Sequence, residues 1–104
     1  MAKPMWVYIM TNKSNTTIYT GVTNSLHRRV HEHRTGKGSS FIKRYKIRKL
    51  VYYEFYEKPQ RAIEREKQIK GGSRKTKIQL IETVNPQWED LYDEQSADIT
   101  PIEA

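Results

Sequence analysis

Two short tyrosine-bearing stretches, Trp6-Val7-Tyr8 and Tyr19-Thr20-Gly21, are followed by Arg29, His33 and Glu66. Two phenols, a guanidinium, an imidazole and a carboxylate are the parts a metal-assisted phosphodiesterase needs. Glu66 is the sharpest signal, because it falls among the apolar residues Ala62, Ile63 and Ile69. A carboxylate buried there without a partner would cost several kcal/mol, so it needs a cation. A divalent ion completed by water and phosphate oxygens would serve, and so would a plain Glu–Arg or Glu–Lys pair. Arg29 suits bidentate contact with a phosphate and the charge that builds at phosphorus during displacement, and it suits a structural clamp equally well. Tyr8 and Tyr19 can position or deprotonate a water, although a phenol with a pKa of about 10 needs a cation nearby to act as a base. Each of them also reads as ordinary core packing. His33 can relay a proton, hydrogen-bond a phosphate, or simply sit satisfied at the core edge. His31 and His33 resemble a chelate in sequence but diverge by about 200° on a helix, which excludes them as a metal pair.

The elements that must position these groups follow from pattern. Met5 to Met10 and Thr16 to Val22 are rich in β-formers, and Asn12-Lys13-Ser14-Asn15 supplies the turn of a hairpin. Gly21 shares a face with Tyr19 and, lacking a side chain, would leave space there for a substrate backbone. Thr23-Asn24-Ser25 offers N-caps for a helix from about Ser25 to Arg34, ended by Gly36 and Gly38. With Leu26 facing inward, Val30 and His33 fall within about 40° of it and Arg29 about 60° to one side, while Arg28 points away. Ser39 to Tyr45 reads as a short basic helix and Lys49 to Tyr56 as a third, aromatic-rich strand. Pro59 opens a helix that Gly71-Gly72 closes at Lys70. Ala62, Ile63 and Ile69 define its inward arc, with Glu64 and Arg65 outside. Ser73 caps a last helix to about Thr83, with Ile78 and Ile81 inward, before Asn85-Pro86-Gln87-Trp88 breaks it and Trp88 and Leu91 pack back.

Composition narrows the chemistry further. With no cysteine, disulfides, thiolate metal sites and cysteine nucleophiles are excluded, so one Mg²⁺ or Mn²⁺ on oxygen ligands is the natural metal. No apolar run approaches the roughly 20 residues that span a bilayer, and the first residues carry no apolar leader, so a cytoplasmic protein without a membrane partner is expected. All 19 Lys and Arg precede Asp93, while four of the 12 acids follow Tyr92, leaving residues 1–92 with a net charge of +11. The expectation is one basic domain over 1–92, matched to a polyanion such as DNA or RNA, and a mobile acidic tail over 93–104.

Taken as ordered blocks, the two triplets ten residues apart, the segment Thr23-Asn24-Ser25-Leu26-His27-Arg28-Arg29-Val30-His31-Glu32-His33, and Ala62-Ile63-Glu64-Arg65-Glu66-Lys67-Gln68-Ile69-Lys70-Gly71 resemble the GIY-YIG nuclease superfamily. The likeness spans about residues 5–92 and is strongest to its small single-domain bacterial branch, related to the amino-terminal nuclease domain of the excinuclease C subunit. It implies an α+β fold, a three-stranded antiparallel sheet flanked by helices, and a Mg²⁺- or Mn²⁺-dependent endonuclease acting on DNA in repair or recombination. By the same resemblance Tyr8 and Tyr19 are the motif phenols, Arg29 stabilises the transition state, His33 lies close to the reacting groups and Glu66 holds one cation. Asn85 corresponds to an asparagine found late in some relatives. Trp6, Val7 and Thr20 depart from the motif at strand positions without chemical duty.

Many relatives carry a separate DNA-binding domain. Here affinity is expected from Lys37, Lys43, Arg44, Lys46, Arg48, Lys49 and Lys70, or from a protein partner that supplies specificity. Two other readings remain at this point. In one, a non-catalytic module docks nucleic acid on its basic surface and on the aromatic strand Tyr52 to Tyr56. In the other, the acidic tail contacts a basic partner or masks the basic face.

Overall fold

The computed structural model describes residues 3–102. Its elements run β1 (Met5–Thr11), β2 (Ile18–Thr23), α1 (Leu26–Arg34), α2 (Ser40–Tyr45), β3 (Lys49–Tyr56), α3 (Pro59–Lys70) and α4 (Arg74–Val84). The three strands form one antiparallel sheet in the order β2-β1-β3, so the α+β architecture expected from the sequence is the one observed. The hairpin turn is held by Asn12, whose side-chain oxygen accepts from the backbone N–H of Thr16 and Thr17. Asn15 there adopts a left-handed φ of 60°, a conformation asparagine tolerates well.

Strand alternation divides the molecule into two cores. Tyr8 and Met10 face α1 and α2, packing with Leu26, Val30, Ile42, Ile47 and Leu50. Val7 and Ile9 face the opposite way, against Ala62 and Ile69 of α3 and Ile81 of α4. A register shift opposite Ile9 and Met10 lets two consecutive residues of β3, Val51 and Tyr52, both enter that second core. Ser73, expected as a cap, accepts from Thr76 N–H and Pro59 occupies the first turn of α3, while Ser39 caps α2 by accepting from Ile42 N–H and Ser25 heads α1 without a side-chain cap hydrogen bond.

The phase of α3 differs from expectation. Ala62 and Ile69 are buried, but Ile63 is 41% exposed, and Arg65 lies against the sheet instead of facing out. The reason is on β3. Glu54 projects to the α3 side and would be left without a cation, so Arg65 turns to it, its Nε 3.0 Å from Glu54 Oε1. Tyr52 and Tyr56 donate their hydroxyls to the same carboxylate. Glu66 consequently sits at the edge of the buried arc, half-buried.

Residues 93–102 lie back on the body, and the last two residues of the expected tail lie outside the described residues. Thr100 N–H donates to the Leu91 carbonyl, Tyr53 donates its hydroxyl to the Thr100 carbonyl, and Ile99 and Ile102 pack on the core. Asn85 is buried and fully engaged by backbone: its amide nitrogen donates to the Val51 and Glu89 carbonyls while its oxygen accepts from Glu89 N–H. It pins the α4 exit to β3. No described helix is long and apolar enough to cross a membrane.

Candidate active site

Four of the five predicted site residues come together on the α1 side of the sheet. Tyr8 stands in the middle of the central strand, 1% exposed, and Tyr19 on β2 lies beside it with ring centroids 6.2 Å apart. His33, on the buried face of α1, meets both rings edge-on, at 5.8 Å from Tyr8 and 5.5 Å from Tyr19. Its Nε2 is 3.4 Å from the Tyr8 hydroxyl, a long hydrogen bond, and its Nδ1 is buried without a partner among the described residues. Arg29, one turn earlier on α1, is half-buried at the rim. Its Nε lies 3.2 Å from Glu32 Oε1, at an angle that makes no hydrogen bond. The helix wheel thus placed Arg29 and His33 correctly, and Arg28 and His31 are exposed as expected.

The electrostatics fix protonation states. Burial holds the Tyr8 phenol well above the usual tyrosine range, assisted by the neighbouring Tyr19 and opposed by the Arg29 guanidinium. Burial, with Arg29 adding to it and Glu32 opposing, lowers His33 to about 4. At neutral pH Tyr8 therefore keeps its proton and His33 carries no charge. The pair can orient a substrate oxygen or a water far more readily than it can act as a free base.

Gly21 has a different task from the one its place beside Tyr19 suggested. It is the cross-strand partner of Tyr8, and a Cβ built there would lie 2.5 Å from the Tyr8 hydroxyl oxygen and 2.6 Å from Cζ. The space over the glycine is filled by the Tyr8 ring, so it does not admit a substrate backbone. Open space lies instead at the outer edge of β2. There a groove of about 340 Å³ runs from Tyr19 past Phe41 of α2 to Lys70 and Lys77, where α3 ends and α4 begins.

Glu66 is the member not bonded to the others among the described residues. α3 packs on the far face of the sheet, and among the described residues no hydrogen bond or ion pair joins Glu66 to the tyrosines, Arg29 or His33. No ion pair with Lys or Arg engages it either, so the structural Glu–Arg pair of α3 is Arg65–Glu54 and leaves Glu66 unspent. No group of three or more His, Cys, Asp or Glu side chains is arranged around a cation among the described residues. A single carboxylate of this kind fits a Mg²⁺ that retains water and takes substrate phosphate oxygens, and does not fit an all-protein cage.

The basic residues lie in four places. Lys43 and Arg44 project from α2, and Lys46, Arg48 and Lys49 line the approach to β3, while Lys37 is exposed beyond α1 and Lys70 borders the β2 groove. The aromatic strand does not present a stacking face: Tyr52 is buried, Tyr53 and Tyr56 are tied by their hydroxyls, and Phe55, 50% exposed, packs on Trp6. The exposed aromatic pair is Phe41 and Tyr45, at 42% and 40%. Sequence reasoning treated α2 only as a basic helix. The signal it passed over was two aromatics one helical turn apart in a helix too short to bury both.

A small α+β domain built on a three-stranded antiparallel sheet of this kind has the GIY-YIG fold, and the chain belongs to that family: the sequence model of the GIY-YIG catalytic domain matches residues 4–79. Nucleases of this family generally act on DNA with a divalent metal ion. The chain is 41% identical over 76 residues to a UPF0213 protein of Clostridium perfringens, covering 73% of this chain and 81% of that one. A UPF0213 protein of Staphylococcus haemolyticus is 38% identical over 77 residues, covering 74% and 93%. The solution NMR structure of a UPF0213 protein from Bacillus halodurans superposes with a TM-score of 0.55 at 29% identity, covering 84% of this chain and 92% of that one.

Proposed function

We propose that this protein is a divalent-metal-dependent endonuclease that hydrolyses DNA phosphodiester bonds, with a place in DNA repair or recombination. The observation that supports this reading is the meeting of Tyr8, Tyr19, His33 and Arg29 at one point, with a protonated phenol hydrogen-bonded to a neutral imidazole beside a guanidinium whose Nε makes no hydrogen bond. The scissile phosphate approaches at Tyr19 and Arg29, since Tyr8 and His33 are too buried to meet bulk solvent. Arg29 gathers the developing charge on the phosphoryl oxygens. Tyr19 holds the phosphate and orients the attacking water from the groove side, and the buried Tyr8–His33 pair fixes the Tyr19 ring from behind. Glu66 would hold one Mg²⁺ or Mn²⁺, which when bound supplies charge neutralisation at the phosphate and a more acidic water. Lys37, Lys43, Arg44, Lys46, Arg48, Lys49 and Lys70 hold the nucleic-acid backbone, with a protein partner able to add specificity.

The lack, among the described residues, of any hydrogen bond or ion pair between Glu66 and the cluster supports a second reading, a nucleic-acid-binding module whose motif residues serve the scaffold. One assay divides them: labelled linear, single-stranded and branched DNA with Mg²⁺, Mn²⁺ or EDTA, comparing wild type with Glu66→Ala and Arg29→Ala. The nuclease gives metal-dependent product that both variants lose. The binding module gives salt-sensitive binding and no product with any ion.

A further inference from the structure

Away from the catalytic cluster, a pocket of about 800 Å³ opens at the hairpin-turn end of the sheet. Lys13 of the turn forms one wall, Tyr45 and Lys46 at the end of α2 another, and Arg48 and Lys49 before and at the start of β3 a third. On the same lining, Arg34 is already engaged: its Nη1 donates to Asp90 and to the Arg48 carbonyl, and its Nη2 lies 3.4 Å from Glu94. The other four cations have no ion pair among the described residues. Lys49 is partly desolvated, which favours any ligand that brings negative charge. Excess positive charge beside an exposed aromatic face is the chemistry of a nucleotide, phosphate on the cations and base on the ring. The volume lies within the range that small-molecule sites occupy.

The pocket also connects to the cluster. Tyr19 lies 6.2 Å from Phe41, and Phe41 lies 4.7 Å from Tyr45, ring centre to ring centre. Arg44 covers the Tyr45 ring at 5.5 Å and steadies it. The aromatic steps lead from the rim of the catalytic cluster directly to the pocket wall.

We propose that this pocket is a nucleotide subsite, with a phosphate held by Lys13, Lys46, Arg48 and Lys49 and its base against Tyr45, filled by a strand that continues along Phe41 to the catalytic cluster. It rests on the nuclease reading only for the identity of that strand, and its test reads binding in EDTA, where no cleavage is needed. A fluorescein-labelled single-stranded oligodeoxynucleotide and free ADP are titrated into the full chain, as wild type, Tyr45→Ala, Tyr45→Phe, Lys13→Ala/Arg48→Ala and Lys58→Ala/Lys75→Ala. The last pair removes the same charge from α3 and α4 surfaces outside the pocket. All the altered residues are exposed, and thermal melts verify the fold.

The expected result is a loss of oligonucleotide affinity of roughly 5- to 150-fold in Tyr45→Ala, retained by Tyr45→Phe. Lys13→Ala/Arg48→Ala should flatten the salt dependence by about two phosphate contacts, and the Lys58/Lys75 pair should do much less. The same pattern with ADP alone would support the pocket with a free nucleotide as its ligand. Wild-type affinity for both probes in Tyr45→Ala, or equal losses in both lysine-containing pairs, would overturn the proposal. Pocket-dependent binding in EDTA, together with no product from wild type in the separate Mg²⁺ and Mn²⁺ cleavage assay, would remove the nuclease reading and leave the subsite standing.

Discussion

The hydroxyl oxygen of Tyr8 stands 2.5 Å from where a Cβ on Gly21 would be, so these two residues on neighbouring strands compete for one volume. Gly21→Ala must displace the ring and with it the contact to His33. Overpacking of this kind typically costs about 1–3 kcal/mol. Urea unfolding should show that loss, and the further change Tyr8→Ala on the Gly21→Ala background should destabilise less than Tyr8→Ala does alone, because the methyl then fills vacated space. Additive losses would mean that the two residues do not share that volume.

Arg29 is half-exposed at the rim, and its one ion pair among the described residues is with Glu32, one turn along the same helix. Exposed pairs of this type contribute about 0.3–0.5 kcal/mol, so Arg29→Ala should fold almost normally. Loss of a group aimed at transition-state charge should nonetheless lower kcat about 10²- to 10³-fold, with little change in DNA affinity. Arg29→Lys, which keeps the charge but not the fork, should recover only part of the rate. Single-turnover cleavage beside equilibrium binding separates these effects.

His33 should make the fold sensitive to acid. Its folded pKa of about 4 lies below the ordinary histidine value of about 6.5, so between those limits the unfolded chain binds a proton that the folded chain refuses. Stability is therefore fully present above about pH 6.5 and declines as pH falls toward 4, by up to about 3 kcal/mol. Urea midpoints at pH 7 and pH 5 should differ more for wild type than for His33→Gln, which has nothing to titrate at that position. Equal pH dependence in the two proteins would contradict the burial argument.

Much of this site was legible in one dimension. Alternation places Tyr8 on a strand face, a helix wheel places Arg29 and His33 on one rim, and Pro59, Gly71 and Ser73 bound two helices because their backbone chemistry is local. What stayed hidden is relational. Gly21 was misread because its neighbour is set by hairpin register, and the phase of α3 was misread because Arg65 answers to Glu54 on another element. The order of residues 93–102 depends on Thr100 and Tyr53 meeting across the fold, which no local composition reveals.

The two carboxylates of the α3 face make the last contrast. Glu54 is held by Arg65, Tyr52 and Tyr56, and although burial opposes its charge, the hydrogen bonds from Arg65 and the two hydroxyls keep its carboxyl below the usual range. Glu54→Ala would leave a guanidinium and two phenols without their acceptor, and losses of about 1–3 kcal/mol are typical when such a group is orphaned. Glu66 has no such partners among the described residues, so Glu66→Ala should cost little stability, while removing the only carboxylate the proposed metal would have. Melting curves and metal-dependent cleavage on the same two variants should therefore give opposite patterns. Glu54→Ala should melt early yet cut DNA with Mg²⁺ below its melting point, and Glu66→Ala should melt near wild type and fail to cut. Cleavage by a well-folded Glu66→Ala protein would remove Glu66 from the site and require the ion to be held elsewhere.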